Sequence, residues 1–223
     1  MTIAVLMPCL NEAEALPVVL AELPPGLRVV VCDNGSTDGS PGIAQRLGTE
    51  VAYAAERGYG NACLAGIAAL RADPPDVVVI WDADHAIYAD DLPELLAPIE
   101  ADRADLVLGD RTALAAPGAL TPPQRFGNRL ATTIIGRVTG FVYRDMGPFR
   151  AIRWAALERL QMEDPTWGWN VEMQLKAVQR GLRVVEVPVR YRARIGQSKI
   201  SGTVSGVVRA GGKILYACWR YAE

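Results

Sequence analysis

The clearest chemical signal in the sequence is a pair of aspartates, Asp82 and Asp84, separated by one small residue. They follow the apolar run of residues 77–81, which predicts a buried strand. Side chains one residue apart on a strand share a face, so both carboxylates can converge on one hard cation. Mg²⁺ or Mn²⁺ suits such a site, because it keeps water ligands and takes further oxygens from a phosphate. A solvated turn with a helix cap is the alternative interpretation of the pair.

A second acidic position follows the apolar run of residues 29–32. Asp33 lies at the end of this run and can accept a hydrogen bond from the N–H of a nucleotide base. The residues behind it, from Asn34 to Asp38, are also typical of a tight turn with a helix cap. Glu12, after the first apolar run, is equally typical of the first turn of a helix, where the helix dipole stabilises a negative charge. Local sequence leaves both interpretations open.

These carboxylates need a scaffold that brings distant segments to one place. Short β-branched runs predict five strands, and stretches with apolar residues at helical spacing predict four helices between them. The strands are expected at residues 3–7, 29–32, 77–81, 106–108 and 184–189, and the helices at 14–23, 61–71, 91–100 and 170–180. This alternation indicates an α/β fold, a mainly parallel sheet flanked by helices. Ligands of such sheets bind beyond the carboxyl ends of the strands, which the acidic residues follow.

Composition and charge exclude several classes of protein. The chain has 223 residues, of which 50% are hydrophobic and 22% charged, and its formal net charge is −2. This excludes collagen-like and disordered chains and favours one globular domain over residues 1–223. No apolar run approaches the ~20 residues of a membrane-spanning helix, and the N-terminus does not resemble a secretory signal, so we expect a cytoplasmic protein. A nucleic-acid partner is not expected, because the chain is slightly acidic.

Glycine and proline motifs further limit the classes of protein to which the chain can belong. The first strand is followed neither by GxGxxG, as in dinucleotide-binding folds, nor by the GxxxxGK[ST] of P-loop enzymes. Gly58 and Gly60 form only a GxG fragment, but they precede a predicted helix, where backbone N–H groups can approach a diphosphate. Residues 115–123 contain three prolines and are interpreted either as a lid or as a surface connection.

Basic residues concentrate in the last part of the sequence. Residues 176–220 contain ten Lys and Arg and one acidic residue, Glu186. Such a segment attracts phosphates or an anionic membrane surface, although a solvated basic face has the same composition. The part from about residue 200 to 220 combines apolar and basic residues, which leaves open a peripheral contact with the inner face of a membrane.

Taken together, the motifs resemble those of one enzyme family. Four of them are similar, in order and spacing, to the inverting nucleotide-sugar glycosyltransferases of the GT-A fold, family 2: Pro8-Cys9-Leu10-Asn11-Glu12, Asp33-Asn34-Gly35-Ser36-Thr37-Asp38, Asp82-Ala83-Asp84 and Gly109-Asp110-Arg111. Three later motifs are similar to the polyprenyl-phosphate branch of that family, the dolichol-phosphate mannose and glucose synthase-like group: Asp145-Met146-Gly147-Pro148-Phe149-Arg150, Gly168-Trp169-Asn170-Val171-Glu172-Met173 and Arg194-Ile195-Gly196-Gln197-Ser198-Lys199. The resemblance covers nearly the whole chain.

The resemblance implies a metal-dependent hexosyltransferase with Mg²⁺ or Mn²⁺ as cofactor. It implies a nucleotide-diphosphate sugar of the UDP-glucose or GDP-mannose type as donor and a polyprenyl phosphate as acceptor. A soluble hydroxyl acceptor and a non-catalytic nucleotide-sugar-binding subunit are the alternatives. The second alternative arises from Ala86 and Ile87, because the branch usually has a Gln or Ser and then a His at these two positions after its second aspartate.

The resemblance also assigns residues to the site. It implies that Asp82 and Asp84 hold the metal and that Asp84 and Glu172 are catalytic carboxylates, since Glu172 falls near the catalytic acid of members that glycosylate hydroxyls. With a phosphate acceptor, Glu172 would instead be structural or would orient the acceptor. The positions implied for nucleotide-sugar binding are Pro8, Leu10, Asn11, Glu12, Asp33, Gly35, Arg57, Gly60, Asp82 and Arg111. The positions implied for the acceptor or its phosphate are Arg150, Arg194 and Lys199. The single histidine, His85, either touches the metal or donor or is an ordinary loop residue.

Overall fold

One mixed β-sheet with helices on both faces forms the scaffold. The computed structural model describes residues 1–196, 212, 216, 217 and 219–221, and in these residues the sheet has seven strands. The strands are β1 (Ile3–Cys9), β2 (Arg28–Asp33), β3 (Glu50–Tyr53), β4 (Val77–Ile80), β5 (Leu106–Asp110), β6 (Arg150–Arg153) and β7 (Val184–Pro188). The helices are α1 (Leu16–Glu22), α2 (Ser40–Arg46), α3 (Tyr59–Leu70), α4 (Leu92–Glu100, preceded by the 3₁₀ turn Ala89–Asp91), α5 (Pro122–Thr139), α6 (Trp154–Leu160) and α7 (Trp169–Gln179).

The order of the strands locates the ligand-binding edge of the sheet. It is β3-β2-β1-β4-β6-β5-β7, and β6 runs antiparallel to both of its neighbours while the other pairs are parallel. The order reverses at β1, because β2 and β3 lie on one side of it and β4 on the other. Ligands of α/β sheets bind at such a reversal, beyond the carboxyl ends of the strands. The residues that follow β1 and β4 therefore lie where a site is expected.

The central strands are covered on both faces. Leu6 and Ile80 belong to a core that α3, α5, α6 and α7 cover, whereas Met7 and Val79 belong to a core beneath α1 and α4. Consecutive side chains alternate between the two cores because a strand has a period of two residues. Burial on both faces thus explains why β1 and β4 are continuous apolar runs.

The α/β fold expected from the sequence is confirmed, with one antiparallel strand. All five expected strands and four expected helices are present, with bounds that shift by at most two residues. The expectations omit β3, β6, α2, α5 and α6. The sequence of β6 does not look like a buried strand, because arginines, Arg150 and Arg153, stand at both of its ends. Its first three residues are nevertheless buried.

The start of α5 shortens the loop expected over residues 115–123, because the last two of these residues are helical. Thr121 and Gln124 form a capping box: the side chain of Thr121 accepts from the backbone N–H of Gln124, and Oε1 of Gln124 accepts from the N–H of Thr121 at 2.8 Å. Pro122 occupies the first helical position, where a missing N–H is tolerated. At 18 residues, α5 is the longest helix described, and no helix of the described residues has the length and apolar character needed to cross a bilayer.

Candidate functional site

Asp82 and Asp84 lie directly after β4, at the carboxyl edge of the sheet. The hydroxyl of Tyr59 donates to Oδ1 of Asp82 at 3.1 Å. Oδ1 of Asp84 accepts the backbone N–H of Ala86 at 3.0 Å, and the Asp84 side chain is buried. Burial and, after it, the charge of Asp84 raise the pKa of Asp82 to about 7. The fold therefore holds two mutually repelling carboxylates together, and a cation between them relieves that repulsion.

The pair fits a divalent cation that the substrate helps to hold. Over the residues that the structure describes, no group of three or more His, Cys, Asp or Glu side chains is arranged to hold a metal. A cation bound to Asp82 and Asp84 would have two carboxylate ligands from this pair and would take its other ligands from water and from substrate oxygens. Mg²⁺ is commonly bound in this way, by one or two carboxylates and the phosphates of the substrate.

An extended segment, residues 189–195, crosses the carboxyl edge of the sheet, and we call it the arginine strap. Its arginines occupy alternate positions, and each pairs with a carboxylate on a different element. The pairs are Arg190 with Asp91 at 2.7 Å, Arg192 with Glu22 at 2.5 Å and Arg194 with Asp84 at 2.6 Å. Val189, just before Arg190, and Tyr191, between Arg190 and Arg192, are buried, whereas Ala193 is exposed. The strap is therefore held from both sides, by apolar packing below and ion pairs above.

Arg194 is the residue of the strap that reaches the aspartate pair. Its Nη2 atom lies 2.6 Å from Oδ2 of Asp84 and 3.6 Å from Oε1 of Glu12. The backbone N–H of Ile195 donates to the carbonyl of Asp84 at 3.0 Å, which fixes the strap beside the loop after β4. The Nε atom of Arg194 is buried and has no hydrogen-bond partner among the described residues. The arginine expected beside a phosphate thus serves as the counter-ion of Asp84 and keeps one buried donor unused.

Asn11 joins the turn after β1 to the turn after β2. Its side-chain Oδ1 accepts the backbone N–H of Thr37 at 2.8 Å, and its own N–H donates to Oγ of Ser36 at 2.9 Å. The N–H of Glu12 donates to Oγ of Ser40 at 3.0 Å. Asn11 has a φ of 53°, a left-handed conformation that asparagine tolerates better than most residues. The two turns consequently form one unit beside the aspartate pair.

Asp33 supports its own turn. It is buried, and its carboxylate accepts the N–H of Gly35 at 3.1 Å and the N–H of Ser36 at 3.2 Å. Gly35 has a φ of 81°, and its carbonyl accepts Nη2 of Arg57 at 2.9 Å. The turn interpretation of Asp33 is therefore correct, while a contact with a nucleotide base stays a prediction. Arg57 lies beside the same turn, and its contact with the donor stays a prediction.

Arg111 is fixed by an acidic partner from another element. Its guanidinium donates to both carboxylate oxygens of Asp145, at 2.7 and 2.9 Å, and lies 4.8 Å from the centre of the Tyr191 ring. Burial alone raises the pKa of Asp145, but the charge and hydrogen bonds of Arg111 lower it below its usual value. Arg111 is thus positioned against the strap through Tyr191.

Arg150 does not lie on a phosphate-binding surface, which corrects that expectation. Its side chain has no exposed area, and burial lowers its pKa to about 10. The guanidinium donates to the carbonyls of Gly147 and Asn170, at 2.8 and 3.2 Å, and to Oε1 of Gln174 at 3.1 Å. Arg150 therefore joins β6 to α7 inside the core.

Glu172 also differs from its expected catalytic role. The side chain has no exposed area, and its two oxygens accept three donors: the N–H of Glu163 at 2.9 Å, the N–H of Asp164 at 2.8 Å and Nζ of Lys176 at 2.6 Å. Glu172 thereby fixes the loop of residues 161–168. A carboxylate with three donors and no exposed area is a structural anchor, because no acceptor can reach it from solvent.

Gly60 is required by protein packing rather than by a diphosphate. A Cβ on Gly60 would lie 1.8 Å from the carbonyl oxygen of Asp164. The N–H groups of Gly60 and Asn61 donate to the carbonyls of Thr166 and Pro165, at 3.2 and 3.0 Å. The start of α3 therefore binds the loop that Glu172 anchors, and these two N–H groups are already used.

The remaining candidate positions lie around this centre. Pro8 is buried in β1 opposite Cys32, and Leu10 is half-buried after the strand. His85 has a φ of 64°, and its Nε2 lies 2.9 Å from Oε1 of Glu22, so it is a loop histidine. Lys199 lies outside the described residues, as does most of the basic segment from about residue 200 to 220.

Ala86 is buried in a small apolar cluster with Leu120 and Tyr191. A polar side chain at position 86 would lose the apolar contact that Ala86 makes with Tyr191 of the strap. The backbone N–H of Ala86 still donates to Asp84, so the loop contributes to the aspartate pair without a polar side chain.

Two residues of the site are absent from the sequence-based assignments. Tyr59 lies between Gly58 and Gly60, and the motif was interpreted from its glycines alone. Its hydroxyl donates to Asp82. Tyr191 supplies the ring that packs against Arg111 and Ala86. Its position between Arg190 and Arg192, in an alternating polar and apolar run, is the signal for an inward-facing side chain.

Comparison with solved structures agrees with this architecture. The chain superposes on glucosyl-3-phosphoglycerate synthase of Mycobacterium tuberculosis, crystallised with Mn²⁺, UDP-glucose and phosphoglyceric acid, with a TM-score of 0.80. The match covers 99% of this chain and 79% of the synthase at 20% sequence identity. At this identity the likeness shows the fold, and the expected GT-A fold is confirmed.

Sequence comparison identifies the family. An uncharacterized glycosyltransferase of Mycobacterium tuberculosis is 40% identical over 210 residues, which cover 93% of this chain and 94% of the relative. The dolichyl-phosphate hexose transferase of Haloferax volcanii is 35% identical over 225 residues, covering 97% of this chain and 93% of the relative. Residues 4–160 match the family model described as Glycosyl transferase family 2. Because that match spans well over half of the sequence, the chain belongs to glycosyl transferase family 2.

Proposed function

We propose that this chain transfers a hexose from a nucleotide-diphosphate sugar to a polyprenyl phosphate. The observation that carries the proposal is the Asp82–Asp84 pair, held beside Arg194 at the point where the strand order reverses. The relative from Haloferax volcanii, named a dolichyl-phosphate hexose transferase, supports this acceptor class. An undecaprenyl-phosphate mannosyltransferase of Micrococcus luteus, 30% identical over 92% of this chain, supports it further.

The donor side of the proposal assigns Asp82 and Asp84 to a divalent cation, Mn²⁺ or Mg²⁺. When bound, the cation neutralises charge on the leaving diphosphate. The synthase crystallised with Mn²⁺ and UDP-glucose supports the choice of metal and of a nucleotide donor. The unit formed by the turns after β1 and β2 is assigned to the nucleoside, with Asp33 accepting from the base through lone pairs that its own turn leaves free.

The acceptor side of the proposal requires no base. A phosphate monoester with a second pKa near ~6 is largely dianionic at neutral pH, so its oxygen is a nucleophile before the reaction begins. That oxygen forms a bond to the anomeric carbon, and the bond from this carbon to the donor diphosphate breaks on the opposite face, with inversion. The nucleoside diphosphate leaves. The burial of Glu172 beneath three donors supports a phosphate acceptor, because an alcohol would need a carboxylate to remove its proton.

The proposal is tested by a transfer assay with the full chain. Radiolabelled UDP-glucose and GDP-mannose are each offered with undecaprenyl phosphate or undecaprenol in detergent, with Mn²⁺ or with EDTA. We expect label in the phosphate-linked lipid, with Mn²⁺ and one of the donors. Label on undecaprenol would move the assignment to a hydroxyl acceptor. Donor binding without any turnover would favour the non-catalytic alternative.

The metal assignment has a matched pair of variants. Asp84→Asn keeps the size of the side chain but removes its charge, so we expect Mn²⁺-dependent donor binding, measured by calorimetry, to be lost. Asp90→Asn is the control, because its side chain is 87% exposed and belongs to the neighbouring turn. Equal Mn²⁺-dependent affinities in the two variants would remove Asp84 from the metal site.

A further inference from the structure

The two carboxylates of the aspartate pair are held in place by different means. Asp84 accepts the backbone N–H of Ala86 at 3.0 Å, and its Oδ2 lies 2.6 Å from Nη2 of Arg194. In the part of the chain that the structure describes, the side chain of Asp82 accepts one hydrogen bond, from the hydroxyl of Tyr59 at 3.1 Å. The orientation of Asp82 therefore depends on Tyr59 more than that of Asp84 depends on any one partner.

The charge of Asp84 opposes the position that Asp82 occupies. The two carboxylates repel each other, and an aspartate relieves such repulsion by rotating its side chain away. The hydroxyl of Tyr59 acts against this rotation, because it donates to Oδ1 of Asp82. A carboxylate oxygen that is not engaged, Oδ2, keeps all of its lone pairs for a further partner.

Tyr59 itself stands on a rigid support. A Cβ on Gly58 would lie 2.0 Å from the carbonyl oxygen of Pro165, and one on Gly60 would lie 1.8 Å from that of Asp164. The chain on both sides of Tyr59 thus approaches the loop of residues 161–168 so closely that only glycine fits. The ring of Tyr59 packs against the core that α3 covers. The hydroxyl is consequently presented to Asp82 from a backbone that has little room to move.

The same backbone also touches the turn after β2. The N–H of Gly58 donates to Oδ1 of Asn34 at 2.6 Å, and Asn34 directly follows Asp33. This contact is made by the main chain of Gly58, whereas the hydroxyl of Tyr59 contacts Asp82. Removal of the hydroxyl should therefore affect the aspartate pair and leave the turn after β2 unchanged.

We infer that Tyr59 is a positioning residue, whose hydroxyl holds Asp82 in place for the divalent cation of the donor. The inference rests on the proposed function for the presence of that cation, and it deepens it by adding a residue that acts through Asp82 rather than as a ligand. Hydrogen-bond partners of metal ligands orient them, and their loss typically lowers metal affinity by about tenfold to a hundredfold.

Tyr59→Phe tests the inference, because it removes the hydroxyl and keeps the ring in the core. Binding of UDP and of GDP to the full chain is measured by calorimetry, each with Mn²⁺ and with EDTA. We expect one nucleotide to bind the wild type more tightly with Mn²⁺, and we call the ratio of its two affinities the Mn²⁺ gain. In Tyr59→Phe the gain should fall by about tenfold or more. The affinity in EDTA should stay within about twofold of wild type, since the nucleoside turn is not altered.

The matched control is another tyrosine of the same core. Tyr143 is buried, and its hydroxyl donates to the carbonyl of Gln174 in α7 at 2.9 Å. Tyr143→Phe also removes one hydroxyl hydrogen bond, so both variants should melt within about 4 °C of wild type. The Mn²⁺ gain of Tyr143→Phe should stay within about twofold of wild type. Equal gains in the two variants would overturn the inference, because the hydroxyl of Tyr59 would then have only a structural role.

A kinetic measurement separates positioning of the metal site from an effect on the reaction itself. With undecaprenyl phosphate as acceptor, Tyr59→Phe should raise the Mn²⁺ concentration for half-maximal rate by about tenfold or more, and should lower the rate at saturating Mn²⁺ by less than that. An unchanged Mn²⁺ requirement with a lower saturating rate would overturn the inference.

The wild-type chain distinguishes failure of this inference from failure of the proposed function. If the wild type shows a Mn²⁺ gain that Tyr59→Phe leaves intact, the inference is wrong and the metal assignment stands. If the wild type binds neither nucleotide more tightly with Mn²⁺, the metal assignment of the proposed function is wrong and the inference falls with it.

Discussion

Glu172→Gln distinguishes a structural anchor from a catalytic base. The wild-type carboxylate accepts three donors and has no exposed area, whereas Gln offers one carbonyl oxygen and places an NH₂ group against donors. Removing one partner of a buried ion pair costs about 3–5 kcal/mol. We expect about 3 kcal/mol, at the lower end, because Nζ of Lys176 also donates to the carbonyl of Gln161 at 2.8 Å. For a chain of this size that corresponds to a fall in melting temperature of about 6–12 °C.

The rate of transfer should change much less than the stability. Because a phosphate oxygen needs no deprotonation, the single-turnover rate of Glu172→Gln on the true acceptor, measured well below its melting temperature, should fall by less than about tenfold. Glu163→Gln is the control, since its side chain is 54% exposed and should alter stability by less than about 1 kcal/mol. Adding Lys176→Met to Glu172→Gln should cost less than the sum of the two single changes. An unchanged melting temperature together with a thousandfold loss of rate would refute the anchor role and indicate a hydroxyl acceptor.

Two further changes test the supports of the site. Asp145→Asn should destabilise the protein by about 3 kcal/mol at neutral pH, because it leaves the largely buried Arg111 without its carboxylate partner. The folded-state pKa of Asp145 lies below its unfolded value. The stability that Asp145 contributes is therefore present above about pH 4 and is lost as the pH falls through the folded pKa. In thermal melts the melting temperature of the variant should consequently fall less steeply with acid than that of wild type. An unchanged acid profile would contradict this. Gly60→Ala should lower the free energy of unfolding by at least about 1–3 kcal/mol, measured with denaturant, because its Cβ would meet a carbonyl oxygen. Gly42→Ala in α2 is the control, since that position has space for a Cβ and the change should be neutral or stabilising. Equal effects of the two changes would disprove the close approach at Gly60.

The sequence was informative wherever local pattern determines structure. The apolar runs of β1 and β4 predict buried central strands, and the aspartates that follow β4 are at the edge where ligands of such sheets bind. The sequence does not predict β6, because an arginine such as Arg150 is usually exposed to solvent. In the fold its guanidinium donates to a carbonyl three residues before it and to two groups on α7. A buried arginine depends on acceptors that only the folded chain brings together.

The roles of several site residues differ from those expected from the sequence for the same reason. The pairing of Glu172 with Lys176 can be anticipated from their spacing of four residues, but the burial of both cannot, because it depends on the loop of residues 161–168 folding over them. Arg194 and Asp84 are separated by 110 positions, and nothing in the local sequence indicates that one neutralises the other. Sequence therefore predicts which residue types gather at the edge of the sheet, and packing determines which of them remain available.

The arginine strap has a thermodynamic consequence for substrate binding. Asp84 already has a monovalent partner in Arg194, so a divalent ion arriving alone has to compete with a covalently tethered cation. If the same ion arrived with a diphosphate, as the proposed function requires, Arg194 would exchange a carboxylate for a phosphate oxygen and could use its unpaired Nε–H as a further donor. Metal and donor are then linked ligands, each raising the affinity for the other by the same factor. Arg190 and Arg192 keep the rest of the strap in place, so this exchange involves one side chain rather than the rearrangement of a whole segment.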